Sequence, residues 1–286
     1  MNINDLANAQ AEQEDYTKPE SGGNFERELP VAGHCVMRLR EYVELGVHST
    51  ATKAYPKKKP AAKARFVFEL TTPKHVKEVE NSEGSKKRFG QTMAISCVIS
   101  KSEKSNYMKL FKQLNYAGEA KVPAQCLGKA YMGFIVHAYD KADIGSDGKP
   151  AAGAKPKWAN LQKDGVYTVE PPRVVDPLAE TITEIKVPEM LGDMKLFLWN
   201  MPTQECWDSL FIDGEYERET DGKTETVSKN WMQNLILSAL NYEGSPLQEM
   251  LMGEGESLAD LPGKTEPEPT AADALSGLMP DDDIPF

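Results

Sequence analysis

Between residues 33 and 169, apolar and polar positions alternate in short stretches, which is the period-two pattern of strands with one buried face. Four stretches carry this pattern: HCVMRLREYVELGV, ARFVFEL, QTMAISCVIS and AYMGFIVHAY. A fifth strand is expected from Trp158 to Val169. The first stretch divides into a face with two arginines and an apolar face: Val36, Arg38, Arg40 and Tyr42 on one, Met37, Leu39 and Val43 on the other.

A helix is predicted between the third and fourth of these strands, in SEKSNYMKLFKQLN. A serine at its start can cap it, and its apolar residues have helical spacing: Tyr107, Leu110, Phe111 and Leu114. Three strands, a helix and two further strands is the order of the oligonucleotide-binding (OB) barrel. We therefore expect a mainly β fold with helices (α+β), built on a five-stranded OB barrel. A plain antiparallel sandwich is the alternative.

The composition divides the chain into four regions. Residues 1–30 are polar and rich in acidic and amide side chains, so they are expected to form a flexible arm. Residues 31–170 contain the predicted core, and residues 171–252 follow as an appendage with a different pattern. Residues 253–286 are rich in Gly, Pro and Glu without periodicity, and are expected to be a disordered acidic tail.

The appendage is expected to contain an amphipathic helix in SKNWMQNLILSALNYEG, with Ser228 as its cap and Gly244 as its stop. Its apolar residues are Trp231, Leu235, Leu237 and Leu240. A shorter helix in PTQECWDSLFIDG is expected to close at Gly214, and EYERETDGKTET to form an exposed hairpin or loop. We expect the appendage to pack on the barrel or to mediate self-association, as in a homodimer.

Charge is distributed unevenly along the chain, whose formal net charge is −11. Residues 51–130 carry 17 Lys and Arg against 6 Asp and Glu, an excess of 11 positive charges. Residues 251–286 carry 1 against 9. A basic body with acidic ends favours an anionic ligand in spite of the negative total, although a charge run is also typical of a solvated surface.

Two basic loops separate the first three strands, around residues 57–59 and 86–88. A DNA single strand exposes phosphates and unstacked bases, so a protein that binds it needs cations along a groove and exposed rings. We predict this groove between the strand of Arg38 and Arg40 and the two basic loops. The candidate phosphate ligands are Arg38, Arg40, Lys57, Lys58, Lys59, Arg65, Lys86, Lys87 and Arg88. The candidate stacking residues are Tyr42, Tyr55, Phe89, Tyr131, Tyr139 and Trp158.

Catalytic and metal-dependent functions are not indicated by the motifs. The four cysteines and four histidines have no paired metal-ligand spacing, and GxxxxGK[ST], GxSxG and HExxH motifs are absent. The acidic loop with Asp140, Asp143 and Asp147 misses the EF-hand spacing. We expect no enzyme activity, no cofactor and no metal. With no apolar run of about 18–20 residues and no signal-peptide pattern, we expect no membrane attachment and a cytoplasmic location.

The chain ends in DDDIPF, which joins three carboxylates to an apolar, stiff terminus. Such a tip suits a partner pocket with an apolar hole and a basic rim, or could fold back onto the protein's own basic groove. It is similar to the C-terminal tip of bacterial single-stranded DNA-binding proteins, and T7-type phage binding proteins also end in acidic residues and Phe. The residues of the predicted partner-binding tip are Asp281, Asp282, Asp283, Ile284, Pro285 and Phe286.

The body of the chain resembles phage single-stranded DNA-binding proteins over most of residues 33–250. The stretches that carry this resemblance are RLREYVELGVHST, RFVFELTTPKH, QTMAISCVISKSEKSNYMKLFKQLN, LFLWNMPTQECWDSLFIDG and SKNWMQNLILSALNYEGSPL. The resemblance implies an OB fold, sequence-independent single-stranded DNA binding in phage replication, recombination and repair, and a tip that docks a polymerase, helicase/primase or nuclease. The linker before the tip is short and acidic, unlike the Gly/Gln-rich bacterial linker.

Three other functions fit parts of the sequence. A strand-annealing recombination mediator would share the DNA-binding surface and differ in accelerating the pairing of complementary strands. A protein-interaction module that mimics the host tip would use DDDIPF without binding DNA. A metal-dependent nuclease is a more distant alternative, and cleavage that requires Mg²⁺ would identify it.

Overall fold

The computed structural model describes residues 28–80, 85–145, 147–176, 178–220 and 223–253, without the side chains of 218–220 and 223. The predicted flexible arm, apart from its last three residues, and the predicted acidic tail, apart from Gly253, lie outside these ranges. By its contacts the chain divides into two units, one of residues 29–214 with 228–286 and one of residues 1–28 with 215–227. The described part of the second unit is a two-stranded hairpin, as one of the two sequence alternatives predicts.

Strands account for most of the regular structure, and the helices are few and short. The strands are β1 Gly33–His48, β2 Ala61–Leu70, β3 Val76–Glu80, β4 Lys86–Gly90, β5 Thr92–Val98, β6 Ala130–Ala138, β7 Trp158–Asn160, β8 Gln162–Lys163, β9 Val166–Tyr167, β10 Val169–Glu170, β11 Arg173–Asp176, β12 Thr181–Glu184, β13 Lys195–Phe197, β14 Glu215–Thr220 and β15 Lys223–Ser228. The helices are α1 Asn106–Leu114, α2 Gln204–Ser209, α3 Trp231–Leu237 and α4 Pro246–Gly253. No helix in the described ranges is long and apolar enough to span a membrane.

A seven-stranded sheet forms the centre of the larger unit, in the order β10-β6-β1-β2-β5. β13 lies parallel beside the second half of β1, and β7 is antiparallel to β6. Helix α1 packs against both β5 and β10, the two ends of this order. The sheet is mainly antiparallel, since β13 is paired in parallel with β1 and its other described strand pairs are antiparallel. No hydrogen bonds join β5 to β10 in the described structure, so the sheet is not a closed barrel.

The predicted strands 1 to 4 and the helix between the third and fourth are confirmed as β1, β2, β5, β6 and α1. Ser105 caps α1, and its hydroxyl accepts a hydrogen bond from the backbone N–H of Met108. The fifth strand was predicted as one element, but the chain forms β7 to β10 instead. The reason is a two-residue turn between β8 and β9, in which Asp164 and Gly165 both have positive φ. The second basic loop was also predicted without strands, and it contains the β3–β4 hairpin.

Two bulges in β1 change which side chains are buried. The register with β2 shifts between Leu39 and Glu41 and again between Glu44 and Gly46. Each bulge adds a residue to one strand and reverses the alternation of faces beyond it. Tyr42 therefore leaves the face of Arg38, on which it was predicted, and points into the core behind the sheet.

Apolar side chains form two clusters, which we call the inner core and the outer core. The inner core lies between the sheet and α1 and includes Cys35, Met37, Leu39, Tyr42, Phe66, Phe68, Leu70, Tyr107, Leu110, Leu114, Tyr131 and Ile135. The outer core joins β1 and β13 to the helices of the appendage and consists of Val43, Leu45, Phe197, Trp199, Trp207, Leu210, Met232, Leu235, Ile236, Ala239, Leu247 and Leu251. β1 contributes to both clusters, so both of its faces are covered along its second half.

The appendage helices differ from the predicted ones in extent and orientation. Helix α3 begins after Asn230 and ends at Leu237, and the separate helix α4 was not predicted. The buried positions follow helical spacing, namely Met232, Leu235, Ile236 and Ala239. Trp231 and Leu240, which were predicted on the apolar face, are 39% and 66% exposed.

Replacement of Gly46 by alanine should destabilise the fold more than the same change at Gly118. Both glycines have positive φ, so each alanine incurs a cost of about 1–2 kcal/mol for the left-handed conformation. At Gly46 the added Cβ would also overlap the Trp199 ring and lie 2.7 Å from the Cβ of Ala239, whereas nothing lies within 4 Å at Gly118. This crowding should add about 1–3 kcal/mol. Urea unfolding of the two variants measures the difference, and equal midpoints would contradict it.

Candidate nucleic-acid interface

The loop between β1 and β2, residues 49–60, exposes lysines beside an aromatic ring. Tyr55 is 52% exposed, and the backbone N–H and C=O groups of Thr52 and Tyr55 bond to each other in a tight turn. Lys57, Lys58 and Lys59 are exposed, and their ammonium groups make no ion pair with any residue that the structure describes. The turn therefore presents a ring and three cations to solvent.

The β3–β4 hairpin presents a second basic surface, made of Lys86, Lys87, Arg88 and Phe89. All four are exposed, and Lys86 pairs with Glu78 across the hairpin at 3.0 Å. The base of the hairpin is anchored by the backbone, because His75 accepts a hydrogen bond from the N–H of Gln91 at 2.9 Å. The His75 ring is fully buried, and this burial lowers its pKa. Burial therefore favours the neutral form of the ring at the root of the hairpin.

The two basic surfaces lie at opposite ends of the β1–β2 ladder. His48 pairs with Ala61 at the end that carries the β1–β2 loop, and Met37 pairs with Leu70 at the end that precedes the hairpin. Ten residues of β2 at about 3.3 Å per residue place these ends roughly 30 Å apart. The face of β2 between them, opposite the inner core, carries Arg65 and is called the outer face below.

Arg38 was predicted to bind phosphate, but its donors are used within the protein. Its guanidinium donates to the carbonyl of Pro188 at 2.9 Å and to that of Gly128 at 2.9 Å. It also donates to the carbonyl of Val187 at 3.2 Å and to the carboxylate of Glu189 at 2.7 Å. Arg38 therefore holds the segment 187–189 against β1, and the prediction of a phosphate ligand at this position is corrected.

Arg40 has the same kind of role, beside the buried carboxylate of Glu69. Glu69 is 1% exposed and accepts hydrogen bonds from the backbone N–H groups of Leu191, at 2.6 Å, and Gly192, at 3.0 Å. The Arg40 Nη1 lies 3.5 Å from Glu69 Oε2, and its Nε donates to the carbonyl of Asp193 at 3.0 Å. These bonds form what we call the Glu69 clamp, made of Arg40, Glu69 and residues 191–193. Arg40 is therefore engaged within the protein, and a contact of its guanidinium with phosphate stays a prediction.

Two of the predicted stacking residues are inside the protein. Tyr42 and Tyr131 are 1% and 0% exposed and belong to the inner core. The hydroxyl of Tyr42 lies 2.9 Å from that of Tyr107, and that of Tyr131 donates to the carbonyl of Leu114 at 3.1 Å. Burial raises the pKa of both tyrosines. Neither ring can meet a base in this fold, so the stacking prediction is wrong for both.

Tyr139 and Trp158 lie where the loop between β6 and β7 begins and ends. Both are half-buried, and Trp158 pairs with Ala138 in the ladder. The ammonium of Lys157 is 4.7 Å from the centre of the Trp158 ring and 3.0 Å from a carboxylate oxygen of Asp140. The two predicted rings are therefore close to each other in the topology, with a cation beside Trp158. A contact of either ring with DNA stays a prediction.

A groove that was not predicted from the sequence lies between the outer face of the sheet and α3. It encloses about 150 Å³ between β2 and β5 on one side and the appendage on the other. The guanidinium carbon of Arg65 lies 5.0 Å from the centre of the Trp231 ring, over its face. The spacing of the buried positions 232, 235, 236 and 239 could have indicated that Trp231 is partly exposed, because it is not one of them.

The remaining predicted features have no described geometry. The tip residues 281–286 lie outside the described ranges, and within those ranges no three His, Cys, Asp or Glu side chains gather as a metal site would require. Comparisons of the chain with protein-family models, with curated proteins and with solved structures found no match.

Substitution of Arg40 by alanine should lower the free energy of unfolding by about 1–3 kcal/mol, because it removes a charged partner from the buried Glu69 carboxylate. A double-mutant cycle of Arg40→Ala and Glu69→Ala should give a coupling of about 0.5–3 kcal/mol. Arg173→Ala on the exposed strand β11 is the matched control and should change little. If Arg40→Ala is as stable as the wild type but binds DNA more weakly, Arg40 acts as a phosphate ligand and not as a partner of Glu69.

Proposed function

We propose that this chain binds single-stranded DNA without sequence preference, in phage DNA replication and recombination. The strand would run on the outer side of the sheet past β5, from the β1–β2 loop to the β3–β4 hairpin, because Val67 and Glu69 on the outer side of β2 are buried. The observation that carries this proposal is the exposure of Lys57, Lys58 and Lys59 beside Tyr55 in a chain whose net charge is −11. Cations that extend into solvent from an otherwise acidic protein are placed to meet an anionic ligand.

The fold that we propose for this function is an open form of the OB barrel. Reading β5-β2-β1-β6-β10 as strands 3-2-1-4-5 places a three-stranded meander first, a helix between strands 3 and 4, and strand 4 beside strand 1. Helix α1 lies between the two ends of the sheet, where strands 3 and 5 would meet in a closed barrel. The short strands β7 to β10 together take the place of the fifth strand.

Single strands are favoured over duplexes by the combination of rings and cations. Tyr55 and Phe89 are 52% and 40% exposed, each within two or three residues of lysine or arginine. A ring can stack only on a base that is free of its own partner, and such stacking contributes about 1–3 kcal/mol per base. The lysines add a term that depends on salt and not on base identity. Because neither the stacking nor the phosphate contacts depend on base identity, the binding is expected to be independent of sequence.

The acidic tip completes the proposal. The residues of DDDIPF would recruit a replication or recombination protein through their carboxylates and the terminal Phe, and would lower the affinity for non-specific anions by competing for the basic surfaces. The bacterial cytoplasm is the compartment in which we propose this function.

Fluorescence anisotropy of labelled oligo(dT) and a matched duplex, at two salt concentrations, tests the proposal. We expect tight, salt-sensitive binding of the single strand and weak binding of the duplex. The variant Lys57→Ala/Lys58→Ala/Lys59→Ala should bind more weakly. The slope of log affinity against log salt should decrease in magnitude by about 2 for three lost phosphate contacts on a single strand.

The control variant Lys121→Ala/Lys163→Ala/Lys186→Ala makes the same change in net charge at three exposed lysines elsewhere. It should keep the wild-type slope. Equal effects of the two triple variants would mean that only the total charge matters, and absence of single-strand binding even without the acidic tail would refute the proposed function. The tip-mimic interaction module would then be the leading function.

Deletion of residues 278–286 should leave single-strand affinity unchanged or higher, because it removes a competing anionic segment. It should abolish capture of replication proteins from an infected-cell extract. The measurement is the anisotropy titration beside a pull-down with full-length and shortened chains. Loss of DNA binding or of folding in the shortened chain would contradict this role of the tip.

A further inference from the structure

The groove beside Trp231 combines the features of a site for one nucleobase. Its sheet side provides Arg65 and Thr92, and its appendage side provides the Trp231 ring and the apolar side chain of Ile212. Glu41 and Lys195, from the paired strands β1 and β13, line it as well. A planar ring could thus meet apolar and aromatic surface with its faces, and a carboxylate, an ammonium and a hydroxyl with its polar edge.

We propose that this groove binds one base of the single strand and that Trp231 is its stacking residue. The inference deepens the proposed function and rests on it, because it places the strand on a surface to which the appendage contributes. It adds α3 to a binding surface that the sequence assigned to the β-rich core alone. Trp231 lies on the outer side of the sheet, on which the strand is proposed to run from one basic surface to the other.

The size of the groove fits this occupant. Its volume is about 150 Å³, and a cavity of about 150 Å³ is known to hold one benzene ring in another protein. A pyrimidine ring is of similar size and therefore fits, while a base pair does not. The groove is consequently suited to a base that has left its duplex partner.

One face of the Trp231 ring is already covered within the protein. The Arg65 guanidinium carbon lies 5.0 Å from the ring centre over that face, so a base would stack on the other face. The ring is still 39% exposed, in contrast to Trp199 and Trp207, which are 8% and 4% exposed in the outer core. Arg65 also brings positive charge next to the base site, where the adjoining phosphate would lie.

The test compares Trp231→Ala, Trp231→Phe and Leu240→Ala in the anisotropy titration with oligo(dT). Loss of one stacked base should weaken binding by about 5- to 150-fold in Trp231→Ala, while Trp231→Phe keeps a ring and most of the affinity. Leu240 is an exposed apolar side chain that follows the same helix and lies outside the groove, so Leu240→Ala should bind as the wild type does. Circular dichroism and urea unfolding establish that each variant is folded.

Tryptophan fluorescence provides a second readout that a merely structural role of Trp231 would not change. The chain has four tryptophans, and two of them are buried in the outer core. Oligo(dT) should quench the wild-type emission, and Trp231→Phe should remove a large part of this quenching. Trp207→Phe, at a ring buried in the outer core, is the matched control and should leave the quenching by oligo(dT) in place.

The outcomes separate this inference from the function on which it rests. If the wild type binds oligo(dT) and Trp231→Ala binds equally well, the base site is refuted and the proposed function stands. The base site is also refuted if Leu240→Ala loses as much affinity as Trp231→Ala, since loosening of the helix would then explain both. If the wild type binds no oligonucleotide, the function and the site are refuted together.

Discussion

A carboxylate buried in a protein must be given hydrogen-bond donors, and Glu69 obtains them from a part of the chain 122 positions further on. The N–H groups of Leu191 and Gly192 bind its two oxygens, and Arg40 lies beside them. A Cβ at position 192 would collide with the Arg40 guanidinium, so Arg40 keeps this position only beside a glycine. The Glu69 clamp thereby determines where the chain crosses the sheet after the β11–β12 hairpin.

The course of the chain beyond the Glu69 clamp decides which surfaces remain open. From residue 193 the chain enters β13 parallel to β1, and Phe197 and Trp199 then close over Val43 and Leu45 to begin the outer core. The second half of β1 is covered as a result. On the outer side of β2, Val67 and Glu69 are buried as well, so the accessible outer face is left mainly to Arg65 and β5, next to the β1–β2 loop and α3. The appendage thus shapes the surface on which we propose that DNA lies.

The elements whose pattern is set by residues close together in the sequence could be predicted. Alternation identified β1, β2, β5 and β6, and composition identified the two basic loops. The faces within β1 could not be predicted, because the bulge at Arg40 adds a residue without any change in the apolar pattern. The partners of Arg38 and Arg40 in residues 187–193 lie about 150 positions away, and no local spacing reveals a contact of that range. The Trp231 groove was missed for the same reason, since its two walls come from distant segments.

Arg38 and the lysines of the β1–β2 loop have different roles because their side chains differ chemically. A guanidinium presents several donors in a fixed plane, which suits Arg38 for joining three carbonyls and a carboxylate at once. An ammonium on a flexible chain makes few geometric demands, which suits Lys57 to Lys59 for phosphates in any arrangement. A surface whose available cations are mostly lysine can hold a strand without reading its bases. Ionic strength, more than base sequence, is therefore expected to set its affinity.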